Sequence, residues 1–530
     1  MDLGRAYEKN EETDKAKDCY EKALNLNGQY GAGFLRLGIL LKRKAEYDKS
    51  NEAFDRAENI YDRLSNDEGV AEVKYQRGVS FNIQEKSDAA LLQFEQVIGN
   101  PRANNYQQIR AMLQISSVCS SLGKTRCAEE YASKAIALAK QERMENLASN
   151  GLISLGNAFL VRADYGKAEQ NFRQALEFSR KDEGLNNEAR ALLSLGSLRI
   201  QQKKPDEAAD FVRQALPFYQ KGGYQKEVAQ ANLILGRAAV MRENYDQALR
   251  AFEQVENSEQ SSISDRAYAK MAGGDTLIVQ EKYPAALKRF EQSYDLYQSL
   301  DNSFYAAHSL FYSSDVLYQL GRFEEAKDKL SKARTILDEG ENPLPQLNNK
   351  IHFLNARIAL SNRDFTVAIV EAKQTRTSND SPLSSEANQI IGLTQTFINP
   401  RSSEGIQNCI KAVQQSINTN DARKINSAKL TLAEGYFNTG NYSDALETAL
   451  QTKDYFINSG QTESGWRAWL IAGKAGKQKG DDENARKYGK MAIETLSQLQ
   501  NDWGAEYFNV YLKKPDINLS FKEAENLAKL

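Results

Sequence analysis

Small and apolar residues recur along this chain at helical spacings, inside a pattern that itself repeats about every 40 residues. A small residue marks the second half of each repeat, at Ala16, Ser50, Ala90, Ala128, Ala168, Ala208, Ala248, Ala286, Ala326, Ala368, Gly405, Ala445 and Ala485. Twelve positions earlier most repeats carry another small residue, including Gly4, Gly38, Gly78, Ser116, Gly156, Gly196, Gly236, Gly274, Ser314, Ala356, Ala433 and Gly473; the repeat around Gly392 is out of step by one. Four positions after the anchor stands a large apolar residue, as at Tyr20, Phe54, Phe94, Phe172, Val212, Phe252, Phe290 and Leu330. Steps of three and four place such residues on one helix face. Short polar turns, such as Arg162-Ala163-Asp164 and Thr439-Gly440-Asn441, divide each repeat into two helices. The predicted unit is therefore an antiparallel helix pair that cannot bury its own apolar face and must stack on its neighbours.

The closest statement of this pattern is Leu155-Gly156-Asn157-Ala158-Phe159 followed by Ala168-Glu169-Gln170-Asn171-Phe172-Arg173-Gln174-Ala175. It resembles the tetratricopeptide repeat, with a small residue in helix A and Ala-x3-Phe-x2-Ala in helix B. The resemblance implies an all-α, right-handed superhelical α-solenoid of about 13 antiparallel helix pairs. The period near 40, against 34 in the family, looks like the long-helix variety of kinesin light chains and bacterial regulatory proteins. Segments such as Gly151–Gly156, Ala191–Gly196 and Trp466–Leu470 look similar to repeat regions attached to bacterial serine/threonine protein kinases.

Breaks in the pattern suggest an organisation. Residues 1–340 read as an N-terminal array and 341–405 as degenerate repeats with a joint, marked by Pro343, Pro345 and Asn379–Pro382. Residues 406–500 read as a C-terminal array and 501–530 as capping helices. In that cap Pro515 is expected to end one helix and Ser520-Phe521-Lys522-Glu523 to open the last. The first repeat lacks the start of its helix A, which suggests a piece of a longer protein.

Composition narrows the function classes. The 530 residues are 41% hydrophobic and 26% charged, with nine prolines, as suits a folded helical chain. The 69 basic and 71 acidic residues nearly cancel, so no global field draws nucleic acid or an anionic membrane. No apolar run reaches transmembrane length and no signal-peptide pattern opens the chain, which predicts a cytoplasmic protein, or a periplasmic one within a longer chain. Cys19, Cys119, Cys127 and Cys409 form neither a CxxC pair nor a zinc spacing, so reduced, buried thiols are expected. His308 and His352 have no ligand-spaced partner, and no phosphate loop, nucleophile elbow or HExxH occurs. The chain reads as a non-enzyme with no catalytic residue, metal or cofactor.

The resemblance implies that A helices line a concave groove, with side chains six residues before and one after each small A-helix residue facing it. The candidate partner-binding track is Asn157, Arg190, Gln230, Arg237, Asp275, His308, Asp315 and Arg357, with Asn150, Ser197, Tyr268 and Lys350 in register and Tyr312 and Tyr318 nearby. Its polar, mixed-sign character suits a protein or peptide ligand. The clamp that holds a chaperone's terminal carboxylate needs a lysine four residues before Asn157; Ile153 stands there. A protein-interaction scaffold is the expected function. The alternative is a regulatory or sensor arm of a multidomain bacterial signalling protein, such as a serine/threonine kinase whose catalytic domain is absent from this chain.

Overall fold

A computed structural model describes residues 1–530 except 10–11, 85, 182–183, 340–344, 376–382 and 402. The expected loops at Pro343 and Asn379–Pro382, and Ser402, lie outside the described residues. The chain is 84% helical, with 28 helices and no strand among the described residues. Helices alternate in antiparallel A–B pairs. Helices Glu145–Val161 and Tyr165–Lys181 show the standard repeat: two 17-residue helices, with the next helix beginning at Leu185, which accounts for the 40-residue step.

The small-residue ladder is the centre of each pair. All thirteen anchors, from Ala16 to Ala485, are buried. At Gly4, Gly38, Gly78, Gly156 and Gly274 the B-helix aromatic sixteen residues on lies against the A-helix backbone. A Cβ on Gly156 would stand 2.4 Å from the Phe172 ring, and the same clash would arise at Gly38 with Phe54 and at Gly274 with Phe290. Where serine replaces glycine, its hydroxyl is buried but satisfied. Ser116 donates to the Ala128 carbonyl at 2.9 Å and Ser314 to the Ala326 carbonyl at 2.6 Å, both across the pair.

The A-to-B turns share one device. The residue five before the anchor takes a left-handed φ in ten repeats, and six of those residues are not glycine: Ala45, Ala163, Lys203, Glu243, Glu281 and Arg363. Packing on both sides of the turn outweighs the local cost of that conformation, about 1–2 kcal/mol per residue.

The chain divides into two compact units, Met1–Ala238 and Ala239–Leu530. Residues 341–405, where a joint is expected, fall inside the second. Within that second unit one apolar core takes in Leu277, Tyr283, Phe290 and Leu317 together with Trp466, Trp503, Tyr511 and Leu527. Its last hairpins therefore pack against its early ones, and the stack closes on itself.

Two local expectations need correction. Cys119 and Cys127 are joined in a disulfide, with Cα atoms 5.9 Å apart, because they sit on the end and the start of consecutive antiparallel helices. Cys19 and Cys409 are free. The final helix runs Pro515–Ala528, so Pro515 opens it at the first turn, where proline is pre-organised, and Ser520–Glu523 lie inside. It does not cap with a polar face alone: Ile517, Ala524 and Leu527 are buried.

The glycine–aromatic contact is testable in the first unit. Phe172→Ala should cost about 3–5 kcal/mol and Gly156→Ala about 1–3 kcal/mol. Combining Gly156→Ala with Phe172→Leu should cost less than the sum of the two single changes. Urea unfolding followed by circular dichroism measures all four; strictly additive losses would refute the interlock.

Candidate functional site

The register rule for the inner face can be followed from helix to helix. In the first unit Asn157 and Gln230 are exposed on A helices, and Arg237 is half-buried. Arg190 reaches back one repeat and donates to the side-chain oxygen of Asn150. Equivalent bonds recur along both units: Arg110 to Glu72 at 3.0 Å, Asn187 to the Asn146 carbonyl at 2.9 Å, and Lys424 to Glu386 at 2.8 Å. Each spans about one repeat, so the inner face carries a ladder of bonds between neighbouring A helices.

In the second unit the candidate residues converge. Asp275 lies on helix Ile263–Val279, His308, Tyr312 and Asp315 on Ser303–Gln319, and Arg357 on Pro345–Ser361. Arg357 pairs with Asp315 at 2.5 Å and stacks on Tyr318, its charge 4.5 Å from the ring centre. Lys350 donates to the Tyr312 hydroxyl at 3.1 Å. Burial pushes the Asp275 carboxyl up to about 7, against the pull of Lys350 and Arg423. Burial and Lys350 push the His308 imidazole down to about 4, so it is neutral near pH 7. The Asp275 carboxylate and burial raise the Tyr312 phenol.

These helices frame a cavity of about 480 Å³. Asp315 and Arg357 line it, and so do six residues at the same register on the next three A helices: Glu386, Leu393, Ser427, Glu434, Arg467 and Lys474. The rule that gives Asp315 and Arg357 also yields these six when counted from Gly392, Ala433 and Gly473, so their signal lies in the sequence. Acidic and basic side chains in the lining balance, and Phe353, Phe397 and Phe456 add apolar wall.

Glu281, Glu463, Lys514 and Asp516 also line the cavity, and no local pattern marks them. Glu281 stands at the left-handed position of its turn and closes the stack. Its buried carboxylate accepts from the backbone N–H of Glu463 at 2.5 Å, from that of Ser464 at 3.1 Å, and from the Ser464 hydroxyl at 2.5 Å. It thereby caps helix Thr462–Gln478, whose own N-cap residue, Gln461, makes no side-chain cap bond. The Trp503 indole N–H donates to the Glu281 carbonyl at 2.7 Å. Tyr511 donates to Glu463 at 2.9 Å and accepts from the Trp466 indole at 3.1 Å. Burial and the nearby Glu463 carboxylate push the Glu281 carboxyl up to about 8, while the Ser464 donors act the other way.

Among the described residues no cluster of three or more histidine, cysteine or carboxylate groups is placed to hold a metal ion. No helix among them is long and apolar enough to cross a membrane.

Comparison with known proteins agrees with the hairpin geometry. Tetratricopeptide-repeat families match residues 1–30, 147–221, 271–342 and 430–503. The chain carries tetratricopeptide repeats. These matches fall in both units, and they name the repeat alone. No curated protein matches the chain. Similar solved structures include a Rap protein complexed with competence and sporulation factor, at 12% identity over 70% of this chain and 99% of that one, with a TM-score of 0.45. The apo form of RapI is similar at 14% identity over 51% of this chain and 99% of that one, TM-score 0.40. Aspartyl phosphate phosphatase F from Bacillus subtilis is similar at 12% identity over 63% and 92%, TM-score 0.41.

The Glu281 clasp gives the tetratricopeptide stack a pH dependence. Its folded carboxyl, near 8, lies above the ordinary 4.5, so the folded chain holds a proton that the unfolded chain releases between these values. That contribution is complete below about pH 4.5 and is lost as pH rises through about 8. Glu281→Gln, which keeps an acceptor for Ser464, should flatten the fall in melting temperature between pH 5 and 8.5. An unchanged slope in scanning calorimetry would remove Glu281 from this role.

Proposed function

We propose that this protein holds a peptide segment of a protein partner against the inner face of its A helices, chiefly in the cavity of the second unit. The observation that carries the reading is that eight cavity-lining residues share the inner-face register across five successive A helices, from Asp315 to Lys474. At about 480 Å³ the space lies within the range of about 300–1,000 Å³ typical of pockets that engulf a ligand. It suits a few residues of an extended chain and not a folded domain. Balanced charges and aromatic walls favour a peptide, whose backbone needs donors and acceptors and whose side chains need apolar seats.

On this reading Asp315 and Arg357 contribute directly to the wall, and Asp275, His308 and Tyr312 shape the adjoining inner face. Asn157, Arg190, Gln230 and Arg237 form the corresponding track of the first unit. The reading is the same for a free-standing scaffold and for a regulatory arm of a larger signalling protein, since it concerns what the groove holds.

The test uses an exposed cavity position, where a bulky residue blocks space without disturbing the core. Ser427→Trp should abolish capture of a fluorescein-labelled random hexapeptide pool, measured by anisotropy, with an unchanged circular dichroism spectrum. Lys134→Trp, on an exposed face of B helix Thr125–Gln141, should leave capture in place. Undiminished binding by Ser427→Trp would exclude the cavity.

A further inference from the structure

Lys514 precedes the last helix, Pro515–Ala528, and lines the cavity at only 5% exposure. Its ammonium faces three aromatic rings, with centres 4.6 Å away at Tyr318, 5.6 Å at Tyr511 and 5.9 Å at Phe323. Among the described residues it meets no carboxylate and no hydrogen-bond acceptor, so its three N–H donors are unspent. Two residues on, Asp516 is its complement. One carboxylate oxygen, Oδ2, is 3.4 Å from the Ser361 hydroxyl, which donates to it; the other, Oδ1, is buried with no partner. The two groups do not pair with each other.

The position of Lys514 is held by packing. Gly321, in a left-handed turn at φ +81°, lets the lysine stem cross its backbone; a Cβ there would lie 2.9 Å from Lys514 Cγ. Arg357 occupies the same Tyr318 ring and is already neutralised by Asp315. Lys514 thus brings to the cavity a positive charge that no carboxylate among the described residues pairs.

The Lys514 stem is buried among aromatic rings while its ammonium opens into the cavity without an anion, which leaves its charge for an anionic ligand. We propose that Lys514 forms a subsite for an acidic peptide residue, whose carboxylate its ammonium receives in the cavity. The inference rests on the peptide reading above and specifies which peptides the cavity takes. A doubly charged phosphate fits less well, because Asp516 and Glu523 already place negative charge in the lining.

The experiment compares two fluorescein-labelled, C-terminally amidated hexapeptide pools, otherwise of uncharged residues, with glutamate or glutamine fixed at the third position. The intact chain should bind the glutamate pool about tenfold more tightly, the worth of one charge-assisted bond. Lys514→Met should erase that difference and leave the glutamine pool unaffected. Lys514→Arg should keep the preference. Equal binding of the two pools by the intact chain, or a preference that survives Lys514→Met, overturns the subsite while leaving the peptide reading standing. Tighter binding of a phosphoserine pool overturns the carboxylate assignment. Failure of both pools to bind overturns the peptide reading and the subsite with it.

Discussion

The structure depends on how closely two helix backbones approach within each hairpin. A glycine in helix A admits the aromatic of helix B in several repeats, and the anchor of helix B is buried at every repeat. Such contact brings many weak dispersion terms into play, and where glycine faces an aromatic it leaves no room for a methyl group. It also fixes which face of the pair remains apolar, and that face can be covered only by the next pair. Stacking follows from this one approach distance, and the inner face follows from stacking. The serine repeats show how narrow the tolerance is. Ser116 and Ser314 fit only because their hydroxyls find a carbonyl across the pair.

The same register places polar side chains on the inner face, and many are engaged with the preceding repeat. Arg190 with Asn150, Lys350 with Tyr312 and Arg357 with Asp315 each bridge neighbouring A helices. Each neutral bond contributes about 0.5–1.5 kcal/mol, and those to charged groups about 1.5–3 kcal/mol. An inner-face residue can thus serve the stack before any ligand arrives. Lys514 differs from the paired members of the track in meeting no carboxylate among the described residues.

What could be read from the sequence divides by contact range. The anchors, the glycine–aromatic pairs and the 40-residue step arise from residues within one hairpin, so periodicity alone reveals them. The inner-face register was legible too, and extending it past Arg357 reaches Glu434, Arg467 and Lys474. Glu281 was not legible, because its partners Glu463 and Ser464 stand more than 180 positions away. Nor was the start of the last helix: Ser520-x-x-Glu523 has the form of a cap, but Pro515 and the burial of Ile517 favour an earlier start. The disulfide was hidden for another reason. A spacing of eight suggests nothing until Cys119 and Cys127 face each other across a hairpin turn.

Closure changes the energetics of the second unit. In an open stack each pair touches only its neighbours, and the ends can loosen independently. Here the core shared by Leu277, Tyr283, Trp466 and Trp503 joins early hairpins to late ones, so loosening one end exposes the other. The closure also takes charged groups out of water. Glu281 is compensated by a helix N-terminus and the Ser464 hydroxyl, which supply the donors its carboxylate needs. Lys514 enters the same cavity without an equivalent acceptor. A closed stack whose only purpose was stability would gain from an apolar residue there. The two groups differ in what meets them: Glu281 finds its hydrogen-bond donors inside the closure, and Lys514 faces the cavity.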